Sequence, residues 1–266
     1  MFPLLQGSGI IAREEGALII QATFLMLIVV VPVLFLLFFF AWRYRASNTK
    51  AKYMPNWQHS KIDELIWWAV PLEIVLVIAA ITWQSTHKLD PRLALASTQV
   101  PLTLEAVALP HKWLFIYPSL GIATVGQLYV PATVPLRFEV TADAPMNSLW
   151  IPALGGQIYA MTSMVNTLNL MAETPGEYPG MSANYSGEGF ADMKFTTHAV
   201  SQADFASWVH TIKAADGSSL DMAHYEMLKS LGAVQPGYYA EVDKNLFASI
   251  VGQFDAGMQT MSAMHH

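Results

Sequence analysis

Two long apolar runs near the N-terminus dominate the pattern of hydrophobic and polar positions along the chain. The first extends from residue 17 to residue 42 without a charged side chain, and the second from residue 65 to residue 86 with Glu73 as its single charge. At about 1.5 Å per helical residue, each is long enough to cross the roughly 30 Å apolar core of a bilayer. Tryptophans near the ends of the second run are typical of the membrane interface. The pattern therefore predicts a hairpin of two transmembrane helices over residues 17–87.

The charges that flank the first run distinguish a membrane helix from a secretory signal peptide and set its orientation. Signal peptides have apolar segments of about 7–15 residues behind a basic lead, whereas Arg13 is followed by two glutamates. The loop between the runs, residues 43–62, concentrates basic side chains: Arg43, Arg45, Lys50, Lys52 and Lys61. Because basic loops stay in the cytoplasm, we expect this loop to be cytoplasmic and both termini, including segment 1–16, to lie outside.

Beyond residue 100 the pattern changes to short runs rich in Val, Ile, Leu, Phe and Tyr, separated by Pro, Gly or Asn. Short strands at this regular spacing are typical of an all-β sandwich or barrel, so we predict an extramembrane sandwich over residues 88–200. Its core is expected to include Trp150, Tyr178 and Tyr185. The predicted strands cover residues 102–109, 112–117, 122–130, 136–142, 148–151, 157–162, 167–172 and 191–198.

Residues 201–266 follow a helical pattern. Ser201 with Asp204, and Ser218 with Asp221, are capping signals that open helices toward residues 215 and 231. A third helix is predicted over residues 242–254. The tail beyond it contains thioether and imidazole groups that suit copper or simply belong to a frayed terminus: Met258, Met261, Met264, His265 and His266.

Composition narrows the class of protein further. The chain is 53% hydrophobic and 13% charged, whereas soluble domains have about 25% charged residues, so part of it is expected in lipid. The net charge of −6, with no basic cluster outside the short loop, argues against nucleic acid as a partner. The absence of cysteine removes disulfides and thiolate metal sites. No Ser-His-Asp arrangement, phosphate-binding loop or zinc pattern emerges, so we predict no catalytic residue in this chain.

A segment rich in glycine and proline, residues 176–193, is predicted to be a loop that turns back on itself. Within it Ser182, Ser186, Phe190 and Met193 stand at intervals of four, four and three residues. This is the spacing of a metal-binding loop of the form Cys-x3-Cys-x3-His-x2-Met, with both cysteines and the histidine replaced. Serine hydroxyls are poor copper ligands and phenylalanine has no lone pair, so we expect no metal here.

The hairpin, the sandwich and this ladder of positions together resemble subunit II of the haem–copper respiratory oxidases, in its ubiquinol-oxidising, cytochrome bo-type branch. The resemblance extends over about residues 15–254. A departure is the lack of a cysteine, which members of that branch commonly carry as an acylated residue after a leader. The motifs that carry the resemblance are WRYRASN at 42–48, YMPNW at 53–57, FIYP at 115–118, GIATV at 121–125, NSLWIP at 147–152, QIYAM at 157–161, YSG at 185–187 and GF at 189–190.

The resemblance explains the spacing of these positions in the loop. In members that oxidise cytochrome c, these positions hold a binuclear copper centre through two cysteines, two histidines, a methionine and the backbone carbonyl of a glutamate. At the corresponding positions this chain has Asn147, Ser182, Asn184, Ser186, Phe190 and Met193. His111 stands where those members have a tryptophan that receives the electron. The resemblance therefore implies a cupredoxin-like domain whose copper-ligand positions are vestigial and bind no metal.

The function that the resemblance implies is that of a non-catalytic subunit of a proton-pumping terminal oxidase, which oxidises ubiquinol and reduces O2 to water. Haem groups, one copper and the quinol site are expected in subunit I, with subunits III and IV and membrane lipid as further partners. The implied location is the bacterial cytoplasmic (inner) membrane, with the large domain on the periplasmic side. Two alternatives stay open: a cytochrome c oxidase subunit II, and a free-standing membrane-anchored binding protein with a sandwich domain.

Two carboxylates of the second apolar run each have two interpretations. In the family, a glutamate at the position of Glu64 lies at the mouth of the K proton pathway into subunit I, although the helix dipole also favours a carboxylate in a first turn. We predict the proton role for Glu64. Glu73 lies deeper in the run, and an intramembrane carboxylate either transfers protons or forms a hydrogen bond with a partner helix.

Overall fold

The structure, a computed structural model, describes residues 7–52, 60–215, 219–232 and 235–263. It forms two compact units: a helical hairpin over Ala17–Asp90, and a second unit composed of Met1–Gly16 and Pro91–His266. The motif at residues 53–57, the capping residue Ser218 and the tail residues 264–266 lie outside the described residues.

The hairpin is formed by helix α2 (Lys61–Lys88) and by helix α1 (Ile10–Arg43), whose residues before Ala17 belong to the second unit. Both helices are long and apolar enough to cross a membrane. Pro32 and Pro71 lie inside these helices, as membrane helices tolerate. The N-cap of α2 is Ser60, whose hydroxyl accepts a hydrogen bond from the backbone N–H of Asp63 at 3.3 Å. The prediction of two membrane-spanning helices is confirmed, and each helix is longer than its apolar run.

The second unit is a two-sheet sandwich. Its strands are β1 (Leu102–Ala108), β2 (Trp113–Tyr117), β3 (Ile122–Val125), β4 (Gln127–Pro131), β5 (Leu136–Ala142), β6 (Asn147–Trp150), β7 (Ile158–Ala160), β8 (Asn166–Leu170), β9 (Gly176–Ser182), β10 (Lys194–Val200), β11 (Ser219–Leu220), β12 (Gly237–Tyr239) and β13 (Glu241–Val242). One sheet has the order β12-β3-β2-β1-β5-β8 and the other β4-β10-β9-β6-β7. Pairs β1–β5 and β4–β10 are parallel. The predicted sandwich is confirmed.

Two strand predictions were wrong. Residues 122–130 were predicted as one strand, but Gly126, at a φ of 68°, ends β3 and sends β4 into the other sheet. Segment 176–182 was predicted as part of a loop, yet it is β9, which pairs with β10 and β6. Gly180 does not turn the chain there. A Cβ at that position would collide with the ring of Phe195 on β10, so the glycine makes room for an aromatic side chain.

The C-terminal region contains α3 (Gln202–Ala214), α4 (Met222–Ser230) and α5 (Leu246–Ala263). Ser201 caps α3 through the backbone N–H of Asp204 at 3.1 Å, as the sequence predicts. The N-cap of α4 is Asp221, whose carboxylate accepts a hydrogen bond from the backbone N–H of His224 at 2.8 Å. The third helix begins at Leu246 rather than residue 242, because Val242 lies in β13 and pairs with β11.

Helices α4 and α5 create a second hydrophobic core on the outer face of the six-stranded sheet. Alternate residues of β2 enter different cores: Trp113, Phe115 and Tyr117 pack between the sheets, while Leu114 and Ile116 pack against α4 and α5. This strand is therefore buried on both faces. The C-terminal region consequently belongs to the compact unit of the sandwich.

Hydrogen bonds and an ion pair connect α4 to the sandwich. The buried Lys112 Nζ donates to the carbonyl oxygens of Leu228 at 2.8 Å and Leu231 at 2.7 Å, at the C-terminal end of α4. The hydroxyl of Tyr225 donates to the buried Asp143 carboxylate at 2.7 Å. That carboxylate also pairs with Lys229 at 2.8 Å. Burial lowers the pKa of Lys112, and the two carbonyl acceptors compensate part of this cost.

The segment that leads into α1 and the first turn of this helix also pack on the sandwich. The backbone N–H groups of Ser8 and Gly9 donate to the carbonyl of Ala153 at 2.7 and 3.1 Å, and Arg13 pairs with Glu173 at 2.9 Å. Gly9 forms an isolated bridge with Ala172. A Cβ on Gly9 would lie 2.6 Å from the carbonyl oxygen of Leu154, so this close approach requires glycine.

Candidate functional site

The candidate site lies where β6, β9 and β10 approach one end of the sandwich. Asn147 is the first residue of β6, and Ser182 is the last residue of β9. A loop containing Gly187 and Gly189, both with positive φ, leads through a 3-10 turn at Phe190–Asp192 to Met193. The positions predicted from the spacing are therefore held by strand ends and by one turn.

Four of these positions join in a compact hydrogen-bonded network around a thioether. The Asn147 Nδ2 donates to the Met193 Sδ at 2.9 Å and to the Ser186 Oγ at 3.0 Å. The Ser182 hydroxyl lies 3.6 Å from the same sulfur, and that of Ser186 lies 4.0 Å away. Asn147, Ser182 and Met193 are buried. We call Asn147, Ser182, Ser186 and Met193 the polar knot.

Trp113 connects the knot to the opposite sheet. Its indole Nε1 donates to the Ser182 Oγ at 3.0 Å, and the remaining amide oxygen of Asn147 accepts from the backbone N–H of Ser148 at 2.8 Å. The buried polar atoms of the knot thus satisfy one another, as buried polar groups must. Sequence reasoning missed these roles of Trp113 and Ser148, because neither follows from the spacing of the ladder.

The donor set of the knot does not fit a copper pair. Such a centre needs soft thiolates and imidazole nitrogens, whereas the knot offers two hydroxyls, an amide N–H and one thioether. The N–H of Asn147 is directed at the sulfur, the atom through which methionine would bind a metal. Within the described residues, no group of three or more His, Cys, Asp or Glu side chains is arranged to hold a metal ion.

The two other predicted positions lie outside the knot. The amide of Asn184 donates to the carbonyl oxygen of Met146 at 3.1 Å. Phe190 is half-buried and contacts Tyr185 edge-on, with ring centroids 5.5 Å apart. Tyr185 was expected in the sandwich core, but it is 76% exposed, because it lies on the outer side of the loop. Tyr178 is buried as expected, whereas Trp150 is half-buried.

His111 packs against the loop from the side of β2. Its ring lies so close to Gly189 that a Cβ there would collide with it. The Nδ1 lies 3.6 Å from the Asp192 Oδ2, beyond hydrogen-bond distance, and is otherwise buried without a partner. Gly189 therefore serves two purposes, since it adopts a φ of 84° and leaves room for the imidazole.

Glu64 occupies the first turn of α2 and is exposed. Its backbone N–H donates to the Ser60 carbonyl at 2.9 Å. Neither the proton role nor the dipole interpretation is decided by this placement, so the proton role of Glu64 stays a prediction.

Comparison with known proteins places the chain in a family. It is 45% identical over 262 residues to the cytochrome bo(3) ubiquinol oxidase subunit 2 of Pseudomonas aeruginosa, covering 98% of this chain and 79% of that protein. It is 46% identical over 258 residues to the ubiquinol oxidase subunit 2 of Acetobacter aceti, covering 96% and 83%. It is 33% identical over 228 residues to the quinol oxidase subunit 2 of Bacillus cereus, covering 85% and 78%. The chain belongs to the quinol oxidase subunit 2 family.

Among solved structures, the chain is similar to the periplasmic domain of subunit II of cytochrome oxidase (CoxB) of Bradyrhizobium japonicum. The TM-score is 0.42 and the identity 23%, with 45% of this chain and 96% of that chain covered. A chain of a heme-copper terminal oxidase dimer matches with a TM-score of 0.42 and 14% identity, covering 52% and 99%. No model of a known protein family matches the sequence.

Proposed function

We propose that this chain is subunit II of a proton-pumping quinol oxidase and carries no redox centre of its own. The polar knot is the observation that carries the proposal. Its amide and hydroxyl groups already satisfy one another around Met193, so the ligand positions are occupied by a structural hydrogen-bond network. Electron delivery then depends on a donor that does not need this domain.

A membrane-soluble quinol is such a donor. We assign the haem groups, the single copper and the quinol site of the complex to the partner subunit I, with subunits III and IV completing the assembly. In this proposal the hairpin anchors the chain beside subunit I and the sandwich covers that subunit outside the membrane. The proposal explains why the sandwich fold is retained without copper ligands. The surface that covers subunit I must match its partner whether or not a metal is bound.

The same proposal places the chain in a bacterial inner membrane. The basic loop that begins after α1 supports a cytoplasmic position for the turn of the hairpin, since Arg43 and Arg45 lie at its start. The termini and the sandwich would then lie on the periplasmic side.

Glu64 is assigned to the cytoplasmic mouth of the proton pathway. The first turn of α2 exposes its carboxylate, as a group that collects protons from water requires. Glu64→Ala should lower turnover and proton pumping of the assembled complex, and Asp63→Asn is the matched control in the same turn. Unchanged turnover and pumping in Glu64→Ala would contradict the proton role and leave the interaction with the helix dipole as the explanation of this carboxylate.

The overall proposal is tested on the purified complex by its metal content and its choice of electron donor. We expect oxygen uptake with reduced ubiquinol, no uptake with reduced cytochrome c, and one copper per complex. Uptake driven by cytochrome c with additional copper would contradict the proposal. Purification of the chain alone, without a haem protein, would instead favour a free-standing binding protein.

A further inference from the structure

The carboxyl group of Glu73 lies deep within the second membrane helix. Glu73 is in α2 (Lys61–Lys88), twelve residues after Lys61 and thus roughly 18 Å along the helix. The surrounding run from residue 65 to residue 86 has no other charge. An acidic side chain near the centre of a membrane helix costs about 2.5–3.5 kcal/mol on insertion scales. Such a group persists where it faces protein or water instead of lipid.

The described residues of the hairpin offer no partner to Glu73. Within the part of the chain that the structure describes, no hydrogen bond or ion pair reaches this side chain, which is exposed. The side of α2 that faces α1 is marked by Ile78, Ile81 and Ser85, which line a groove together with Leu18 and Leu25 of α1. At about 100° per residue, Glu73 points roughly a third of a turn away from that side. Since the described residues of the hairpin contain no partner for Glu73, its position favours a partner from another molecule.

The face of α2 that contains Glu73 has the pattern of a helix–helix contact. Val77, Ala80 and Gln84 follow at intervals of four, three and four residues, and all are exposed. This heptad-like spacing keeps the four side chains on one stripe. Ala80 permits close approach of a second helix, and Gln84 adds a second polar side chain to this stripe. We call Glu73, Val77, Ala80 and Gln84 the outer face of α2.

We propose that the outer face of α2 packs against a transmembrane helix of a partner subunit, and that this helix presents a hydrogen-bond donor to the Glu73 carboxyl group. The inference rests on the proposed function, which supplies a partner with many membrane helices. The partner is defined by its chemistry: a helix with a small or flat surface and a basic or hydroxyl side chain at the depth of Glu73. Glu73 is thereby an assembly contact, separate from the proton role assigned to Glu64.

The test uses the complete complex, purified through a tag on this chain, with haem recovered per chain as the readout. Glu73→Leu removes the acceptor and should lower haem recovery after detergent washing by about threefold to tenfold, in line with an interhelical hydrogen bond. Glu73→Gln retains an acceptor and should lose less. Thr82→Val removes a polar group from the side that faces α1 and is the matched control, for which we expect no loss.

If the Glu73 carboxylate faces lipid, haem recovery should not fall in Glu73→Leu. If Glu73 faced lipid, Glu73→Leu would retain as much haem as the parent or more, because leucine is the better lipid-facing residue. That outcome would overturn the proposal, as would equal losses in Glu73→Leu and Thr82→Val. Quinol turnover per haem in the complex that survives should be unchanged, since the residue is assigned to assembly.

A photoreactive benzoylphenylalanine in place of Glu73 identifies the neighbour directly. We expect a cross-link to a partner subunit, whereas the same probe in place of Ile78 should cross-link within the chain. Adducts of the Glu73 probe with lipid alone, or with a second copy of this chain, would refute the inference. If the parent chain recovers no haem at all, the proposed function fails, and the cross-link alone decides whether this face meets another protein's helix.

Discussion

Trp113 and Ser182 are joined across the sandwich by a hydrogen bond of 3.0 Å from the indole Nε1 to the hydroxyl oxygen. Trp113 belongs to the six-stranded sheet and Ser182 to the five-stranded sheet, so this bond ties the two layers together at the knot. Ser182, one of the positions predicted from the spacing of the loop, therefore serves as a buried hydrogen-bond acceptor.

Ser182→Ala should destabilise the chain by about 1–3 kcal/mol, because the buried indole N–H loses its acceptor. The measurement is chemical or thermal unfolding of the full chain in detergent. Ser186→Ala is the matched control: the Asn147 amide that it serves retains the Met193 sulfur, so its effect should be clearly smaller. Equal losses of stability in the two variants would contradict a specific contribution of the hydrogen bond between Trp113 and Ser182 to the free energy of unfolding.

Glu105 should make stability depend on pH. It stands directly opposite Glu139 in the parallel pair β1–β5. Burial, together with the Glu139 charge, raises the pKa of Glu105 to about 7 from its model-peptide value of 4.5. The folded state thus holds a proton that the unfolded state releases, and stability falls as the pH rises from 4.5 to about 7.

Glu105→Gln removes this dependence. Its thermal unfolding temperature, relative to the parent, should rise between pH 4.5 and about 7 and then level off. Glu188→Gln, at an exposed loop position, is the control for loss of one negative charge. A difference between Glu105→Gln and the parent that is the same at pH 4.5 and pH 8 would contradict the raised pKa.

Lys112→Met should loosen the C-terminal region. The substitution retains the aliphatic stem but leaves the carbonyl oxygens of Leu228 and Leu231 without their donor, at a cost of about 1–3 kcal/mol. We expect faster limited proteolysis after residue 219, while the inter-sheet core stays protected. Lys213→Met, on the exposed side of α3, is the control. Protection that is unchanged in Lys112→Met would show that the hydrophobic core alone holds α4.

Gly9→Ala should disturb the segment that leads into α1. The added Cβ would lie 2.6 Å from the Leu154 carbonyl oxygen and 2.8 Å from that of Met171, both backbone atoms that cannot move aside cheaply. Overpacking of this kind costs about 1–3 kcal/mol, measurable by unfolding of the full chain. Gly252→Ala, where a Cβ meets nothing within 4 Å, should be neutral or stabilising. Equal stability of the two variants would argue against tight packing at Gly9.

Local patterns were sufficient for several features of the fold. The apolar runs predict α1 and α2 because helix length and hydropathy are properties of a contiguous segment. The capping signal at Ser201 was right because its partner, Asp204, is three residues away. The spacing from Ser182 to Met193 indicated side chains that the fold brings together around one sulfur atom, because these residues lie in one short segment.

Contacts between distant segments decided the rest. The sequence around Gly126 predicts one continuous strand. In the structure the chain passes from one sheet to the other at this glycine, which no local pattern indicates. Gly180 belongs to a segment whose composition predicts a loop, whereas its small size is needed under the ring of Phe195. The hydrogen bond between Trp113 and Ser182 joins residues 69 positions apart.

The sequence by itself determined the membrane hairpin, the class of the outer domain and the absence of thiolate ligands, because each depends on composition or on short-range spacing. Tertiary structure decided how the side chains of the polar knot contact one another. Asn147 and Met193 are 46 residues apart, and their hydrogen bond forms only because β6 and the loop before β10 meet at one end of the sandwich. Buried polar groups must find partners, and which partners they find is a property of the folded chain.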